Sequence, residues 1–119
     1  MTQNTEITDF IIEGLRNRKG HAITVVDLSE IENAGARRFV IAEGTSATQT
    51  AALADSVEEY LLDHGFGKPL GKIGTAAGEW IVMDYGDTWV HIFLPPTRAR
   101  YNLEELWSDA RITALPDLD

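Results

Sequence analysis

Two apolar runs separated by Gly86-Asp87 constrain the fold of this chain more than any other feature. The pattern over residues 79–94 predicts a β-hairpin, because β-branched and aromatic side chains flank the turn and a glycine at the first central position suits a type II′ turn. This turn fixes the register, in which side chains on one face pair directly across the two strands: Tyr85 with Thr88, Met83 with Val90, and Ile81 with Ile92.

The hairpin therefore has two unlike faces. The face with the pairs above is almost entirely apolar, whereas the other combines aromatic and ionisable side chains: Trp80, Val82, Asp84, Trp89, His91 and Phe93. Two interpretations of this second face stay open. Strand aromatics are most often buried by another element of the same chain. Tryptophan is also enriched at interface hot spots, and a core rarely keeps an aspartate and a histidine beside three aromatic rings, so the face equally fits a partner-binding patch.

The rest of the sequence predicts one α/β domain of 119 residues. Hydrophobic periodicity and turn signals place two helices over residues 5–19 and 46–64, strands at 23–28, 39–42 and 68–73, and a short helix near residues 103–107. This order predicts a mixed β-sheet of about five strands with helices packed on it. We expect a single domain over residues 1–119, with a core over about residues 5–110 and a frayed tail over 111–119.

Charge and composition narrow the classes of function. The formal net charge is −9, and the ten basic residues occur in small groups, so the phosphate contacts that dominate nucleic-acid affinity are scarce. An acidic surface favours a basic protein partner. The absence of cysteine excludes disulfides and thiol catalysis, and the apolar runs fall short of the roughly 18 residues that span a bilayer, which predicts a cytoplasmic protein without a membrane partner.

Signals for catalysis are weak. Gly44-Thr45-Ser46 precedes a capped helix that could accept an anion, but a phosphate-binding lysine is missing and Ser46 serves as the helix cap. Asp84 and Asp87 fall on different strand faces, and Asp84 is a diagonal neighbour of His91, within hydrogen-bonding reach. No serine lies in a nucleophile-elbow context. We therefore expect no enzyme activity, no catalytic residues, no metal and no cofactor.

Two C-terminal motifs resemble the ribosomal silencing factor family, also called RsfS or Iojap-like. The family's W-x-x-x-D-x-G-D-x-x-V-H appears as Trp80, Asp84, Gly86, Asp87, Val90 and His91. Its R-x-x-Y-x-L-E-x-L-W appears as Arg98, Tyr101, Leu103, Glu104, Leu106 and Trp107. An upstream strand–turn–helix around residues 39–55 is also similar, so the resemblance covers roughly residues 6–110.

This resemblance implies a fold and a function. The fold is a nucleotidyltransferase-like topology without the catalytic residues, since no D-x-D pair follows Gly44-Thr45-Ser46 on a strand. Members of the family dock on the fourteenth protein of the large ribosomal subunit and obstruct joining of the two subunits, which lowers translation when nutrients are scarce. Homodimers recur in the family, and no nucleotide or metal is required.

We expect the partner-contact residues to lie around the second hairpin face: Trp80 as the aromatic anchor, with Val82, Tyr85, Trp89, His91 and Phe93. Tyr85 is included as a turn-adjacent aromatic, although its register places it on the apolar face. Two alternatives stay open: a small-molecule or nucleotide-binding transferase-like domain with its site at residues 44–49, and a homodimerisation module that uses the aromatic face.

The chain departs from the family pattern at two places. Many relatives carry Thr-Asp where this chain has Arg37-Arg38, and many carry Glu-Gly where it has Ile73-Gly74. Contacts that those acidic groups make in relatives are therefore not expected here.

Overall fold

A computed structural model describes residues 3–117 as one α/β domain with a six-stranded mixed sheet. The elements, in chain order, are α1 (Gln3–Arg16), β1 (His21–Asp27), β2 (Arg38–Glu43), α2 (Ala47–Asp63), β3 (Gly71–Ile73), β4 (Trp80–Asp84), β5 (Thr88–Phe93), α3 (Pro95–Tyr101), α4 (Leu103–Leu106) and β6 (Arg111–Ala114). Among residues 3–117, none of the helices combines the length and apolarity needed to cross a membrane.

The strand order in the sheet is β3-β4-β5-β2-β1-β6. Only β2 and β5 run parallel, and the other neighbouring strands pair antiparallel, so the predicted mixed sheet is confirmed. The hairpin register is confirmed as well, with Ile81 opposite Ile92 and Met83 opposite Val90. Between β2 and β5 the chain passes through α2, β3 and β4, and the β4–β5 hairpin lies beside β2 in the sheet.

Helices α1 and α2 cover one face of the sheet, which we call the helix face. Their apolar stripes bury Ile11, Leu15, Leu53 and Val57 against strand residues such as Ile81, and all five are fully buried. The two helices approach closely at Gly14, where an added Cβ would lie 3.0 Å from the Cα of Val57. The Ser56 hydroxyl donates to the Gly14 carbonyl across 2.7 Å at the same point.

The opposite face, which we call the outer face, has its own small core. Buried side chains of β1, β2 and β5 meet Leu28 of the following loop and Leu103 of α4 there, and all three tryptophans pack around them. Trp107 reaches back over the sheet, with its ring centroid 6.3 Å from that of Phe39. The C-terminal segment, which comprises α3, α4 and the following Trp107, thus covers the middle of the outer face and leaves the β3–β4 end open.

Three expectations need correction. Residues 111–114 of the expected frayed tail form β6, which pairs with Thr24–Asp27 of β1, and the sheet therefore has six strands rather than about five. Residues 118–119 of that tail lie outside the described residues. A helix that was not expected, α3, begins at Pro95-Pro96 directly after the hairpin, since proline is tolerated in the first turn of a helix. Helix α1 ends at Arg16 rather than near residue 19.

Candidate partner-binding surface

Trp80 is held on three sides by its own chain. Its indole Nε1 donates to Nδ1 of His91 across 3.0 Å. One side of the ring system stacks on Phe93 at a centroid distance of 5.0 Å, and Tyr101 of α3 contacts it at 4.8 Å. The side chain is half-buried, so the predicted anchor is fixed in one orientation and exposes only part of its surface.

His91 is the buried partner that orients Trp80. It retains 4% exposure, and burial lowers its pKa from 6.5 to about 4. The ring is therefore neutral at pH 7, and because Nδ1 accepts from Trp80, the ring proton resides on Nε2. That Nε2 atom is buried without a hydrogen-bond partner among the described residues. The His91 ring packs edge-on against the Phe39 ring, with 4.5 Å between the two ring centroids. Trp80 and His91 of the first family motif thus form a side-chain hydrogen bond that joins β4 to β5.

Asp84 acts in the turn and not on His91. Its Oδ1 accepts from the backbone N–H of Gly86 across 2.7 Å, so the expected hydrogen bond between Asp84 and His91 was wrong. Gly86 has φ +91°, as the predicted turn requires. Trp89 closes the turn from the other strand, because its Nε1 donates to the Gly86 carbonyl across 3.2 Å.

Burial divides the five expected contact residues on the outer face into two groups. Phe93 is fully buried and His91 nearly so, and both form the floor of the surface. Trp80, Val82 and Trp89 are half-buried on the outer face and retain surface that a partner can reach. Whether these residues bind a partner stays a prediction.

Tyr85, the remaining member of the set, packs against the helix-face core, as its register implied. Its hydroxyl is buried and has no hydrogen-bond partner within residues 3–117. Burial raises the pKa of this hydroxyl, and the nearby Glu58 carboxylate adds to the rise. Tyr85 therefore lies on the opposite side of the sheet from Trp80 and Val82.

Two exposed apolar side chains that the sequence argument left out flank this surface. Ile73 of β3 is 68% exposed and lies directly opposite Val82, while Tyr101 of α3 is 50% exposed against Trp80. The signal for Tyr101 was present, since it belongs to the second family motif. Ile73 could not be placed from the sequence, because a three-residue edge strand does not fix its own register.

Most of the second family motif holds the C-terminal segment on the sheet. The Arg98 guanidinium, 11% exposed, donates to the Ala22 carbonyl at 2.9 Å and to the Thr24 hydroxyl at 3.0 Å, and pairs with Glu43 at 3.2 Å. It also forms an ion pair with Glu104 of α4. Arg98 and Glu104 are thus structural residues that join α3 and α4 to the ends of β1 and β2.

The alternative site at residues 44–49 is largely occupied by its own side chains. Ser46 Oγ accepts from the Gln49 N–H at 3.1 Å, as the predicted cap requires. The Gln49 side-chain oxygen in turn accepts from the Thr45 N–H and hydroxyl at 2.6 and 2.7 Å. In the part of the chain that the structure describes, no three His, Asp or Glu side chains gather as a metal site would require.

Comparisons with known proteins agree with the motifs. The family model described as "Ribosomal silencing factor during starvation" matches residues 2–119. The chain is 38% identical over 102 residues to the ribosomal silencing factor RsfS of Chromobacterium violaceum, covering 86% of this chain and 82% of that protein. It is 32% identical to the mouse protein named "Mitochondrial assembly of ribosomal large subunit protein 1", over 84% of this chain and 44% of that one.

A solved structure has the same fold. A crystal structure of a Chromobacterium violaceum protein superposes with a TM-score of 0.84 at 36% identity, over 90% of this chain and 88% of that one. The family model spans nearly the whole chain, and the motifs that carry the resemblance form the hairpin and the segment that covers it. This chain belongs to the ribosomal silencing factor family.

Proposed function

We propose that this protein binds the fourteenth protein of the large ribosomal subunit through the open end of its outer face. Bound there, in the cytoplasm, it keeps the small subunit from joining and so represses translation when nutrients are limited. It works by occupying a surface, without catalysis, metal or cofactor.

The observation that carries this proposal is the half-buried Trp80 beside Val82 at the open end of the outer face. The C-terminal segment covers this end only as far as Tyr101, which leaves apolar surface of β4 and β3 in solvent. Interface hot spots are enriched in tryptophan held in a fixed orientation, since little entropy is then lost on binding.

Charge supports the same choice of partner. A net charge of −9 attracts a basic ribosomal protein and repels the phosphates of ribosomal RNA. The net negative charge would thus orient the protein toward a protein surface of the large subunit. Once bound, the protein would block the small subunit by its volume and by charge repulsion.

The test is sedimentation with purified ribosomal subunits. We expect the protein to pellet with isolated large subunits and to lower the fraction of joined ribosomes when small subunits are added. Equal pelleting with small subunits, or unchanged joining, would contradict the proposal. Mass measurement over a range of protein concentrations tests the separate prediction of a homodimer.

Two neighbouring substitutions separate binding from folding. Ile81 is fully buried on the helix face, so Ile81→Ala should destabilise the fold by about 2–4 kcal/mol without a direct effect on docking. Trp80→Ala should weaken docking by at least about thirtyfold. It should also destabilise the fold, because Trp80 packs on Phe93 and bonds His91. Binding is therefore measured at a temperature where both variants remain folded.

A further inference from the structure

Ile73 is an exposed apolar side chain that the fold itself does not use. It is 68% exposed and belongs to neither hydrophobic core. Its strand, β3, is the sheet edge beside the hairpin. Because Ile73 lies directly opposite Val82 in the antiparallel pairing, both side chains project from the outer face. Ile73 thus extends the open surface outward from Val82 to the sheet edge.

Tyr101 extends the same surface in the other direction. Its ring lies 4.8 Å from that of Trp80 and is 50% exposed at the C-terminal end of α3. Four side chains then form a continuous apolar band across the open end of the outer face: Ile73, Val82, Trp80 and Tyr101. The band begins at the sheet edge and ends at the segment that covers the middle of the face.

We propose that Ile73 is a specificity-determining contact of this band, and that the surface it meets on the large-subunit protein is apolar rather than basic. This inference rests on the proposed function and adds the chemistry of one position in its interface. Tyr101 closes the opposite end of the same contact. A buried isoleucine requires an apolar or neutral neighbour, because a charged group facing it loses hydration without gaining a partner.

A charge substitution at Ile73 distinguishes an apolar partner surface from a basic one. Ile73→Glu would press a carboxylate against an apolar patch, where it loses hydration without gaining a partner, and binding should fall. The fold should tolerate the change, because the side chain is mostly in solvent. If the partner instead kept a basic residue opposite this position, the same substitution would strengthen binding.

The chain offers a matched control in Ile112 of β6. Across the sheet, Ile112 pairs with Val26, Val26 with Phe39, and Phe39 with Trp89. Paired residues project from the same face, so Ile112 lies on the outer face, as Ile73 does. It is also an exposed isoleucine on an edge strand, at 39% exposure. The two edges are five strand spacings apart, or roughly 24 Å, which places Ile112 outside the band.

The experiment measures the affinity of four proteins for purified large subunits: the wild type, Ile73→Glu, Ile112→Glu and Tyr101→Ser. We expect Ile73→Glu to weaken binding by at least about tenfold, Tyr101→Ser by about fivefold, and Ile112→Glu by less than about twofold. Urea unfolding of each variant shows that the fold is retained.

Three results would overturn the inference: tighter or unchanged binding by Ile73→Glu, an equal loss with Ile112→Glu, or unchanged binding by Tyr101→Ser. The inference and the proposed function fail in different ways. A wild type that does not pellet with large subunits refutes the proposed function. A wild type that pellets while Ile73→Glu pellets equally well refutes only the role of Ile73.

Discussion

His91 places a titratable group at the centre of the outer face, and this makes stability depend on pH. Burial lowers its pKa from 6.5 to about 4, so the folded state binds fewer protons than the unfolded state between those values. The stability contributed by neutral His91 is complete above about pH 6.5 and is lost as the pH falls toward 4. We expect a loss of about 3 kcal/mol from this group, measured as the free energy of urea unfolding at several pH values.

The control for that prediction is His91→Gln, which removes the titrating ring and keeps an acceptor for the Trp80 indole N–H. Carboxylates titrate in both proteins, so the difference between the two pH profiles isolates the histidine. Parallel profiles between pH 7 and 4 would show that His91 is not the group responsible.

Gly74 permits the close approach of two backbone segments. Its φ is +88°, and a Cβ added there would lie 2.0 Å from the Trp80 carbonyl oxygen. We expect Gly74→Ala to lower the free energy of unfolding by about 2 kcal/mol or more. Alanine is strained at this positive φ, and its Cβ would clash with the Trp80 carbonyl oxygen. Gly71 has nothing within 4 Å of an added Cβ, so Gly71→Ala should change stability by about 0.5 kcal/mol or less. Equal costs at the two positions would contradict this account.

Helices α3 and α4 of the C-terminal segment behave as one element, because Arg98 of α3 binds both Glu104 of α4 and the strands β1 and β2. Removing the guanidinium leaves Glu43 and Glu104 without the cation that pairs with them and takes one of two donors from the Ala22 carbonyl. We expect Arg98→Ala to lower the free energy of unfolding by about 2–4 kcal/mol. Arg100→Ala, two residues along the same helix at an exposed position, should cost about 0.5 kcal/mol or less. Urea titrations that showed similar losses of unfolding free energy for the two variants would contradict the role of Arg98 in holding α3 and α4 on the sheet.

Elements with a strong local pattern were predictable, and those made by tertiary partners were not. The hairpin register follows from Gly86 and the side-chain alternation, and the structure confirms it. Helix α3 was missed because Pro95-Pro96 marks the end of a strand and the start of a helix equally well, and its cap, Leu94, has no side-chain hydrogen bond to signal it. The four residues of β6 are all exposed, so they carry no hydrophobic pattern that would predict a strand. The strand forms because its backbone pairs with the edge of β1.

The candidate surface was predictable in part for the same reason. Face alternation correctly grouped Trp80, Val82 and Trp89, but it could not tell which neighbours would be covered when the chain after the hairpin folds back over the sheet. The burial of His91 and Phe93 depends on the C-terminal segment folding back. The partner of the Trp80 indole N–H was missed because His91 lies directly opposite Val82 rather than opposite Trp80.

For the whole molecule, the charge balance predicts how docking responds to salt. The Debye length falls from about 30 Å at about 0.01 M salt to about 8 Å at about 0.15 M, so long-range attraction by the net charge of −9 is progressively screened. We expect the association rate constant for the isolated basic large-subunit protein to fall several-fold over this range, while the dissociation rate constant, set by the apolar band, changes little. Stopped-flow mixing at a series of salt concentrations measures both, and a salt-independent association rate would contradict electrostatic steering.

The location of the three tryptophans on one side of the sheet determines what an optical signal from this protein reports. Trp80, Trp89 and Trp107 all pack around the outer-face core, so tryptophan fluorescence comes entirely from that side. An emission shift would report displacement of the C-terminal segment or contact with a partner while helices α1 and α2 stayed packed. Circular dichroism would register those helices separately, and a difference between the two signals during denaturation would resolve the two faces of the sheet as independently opening layers.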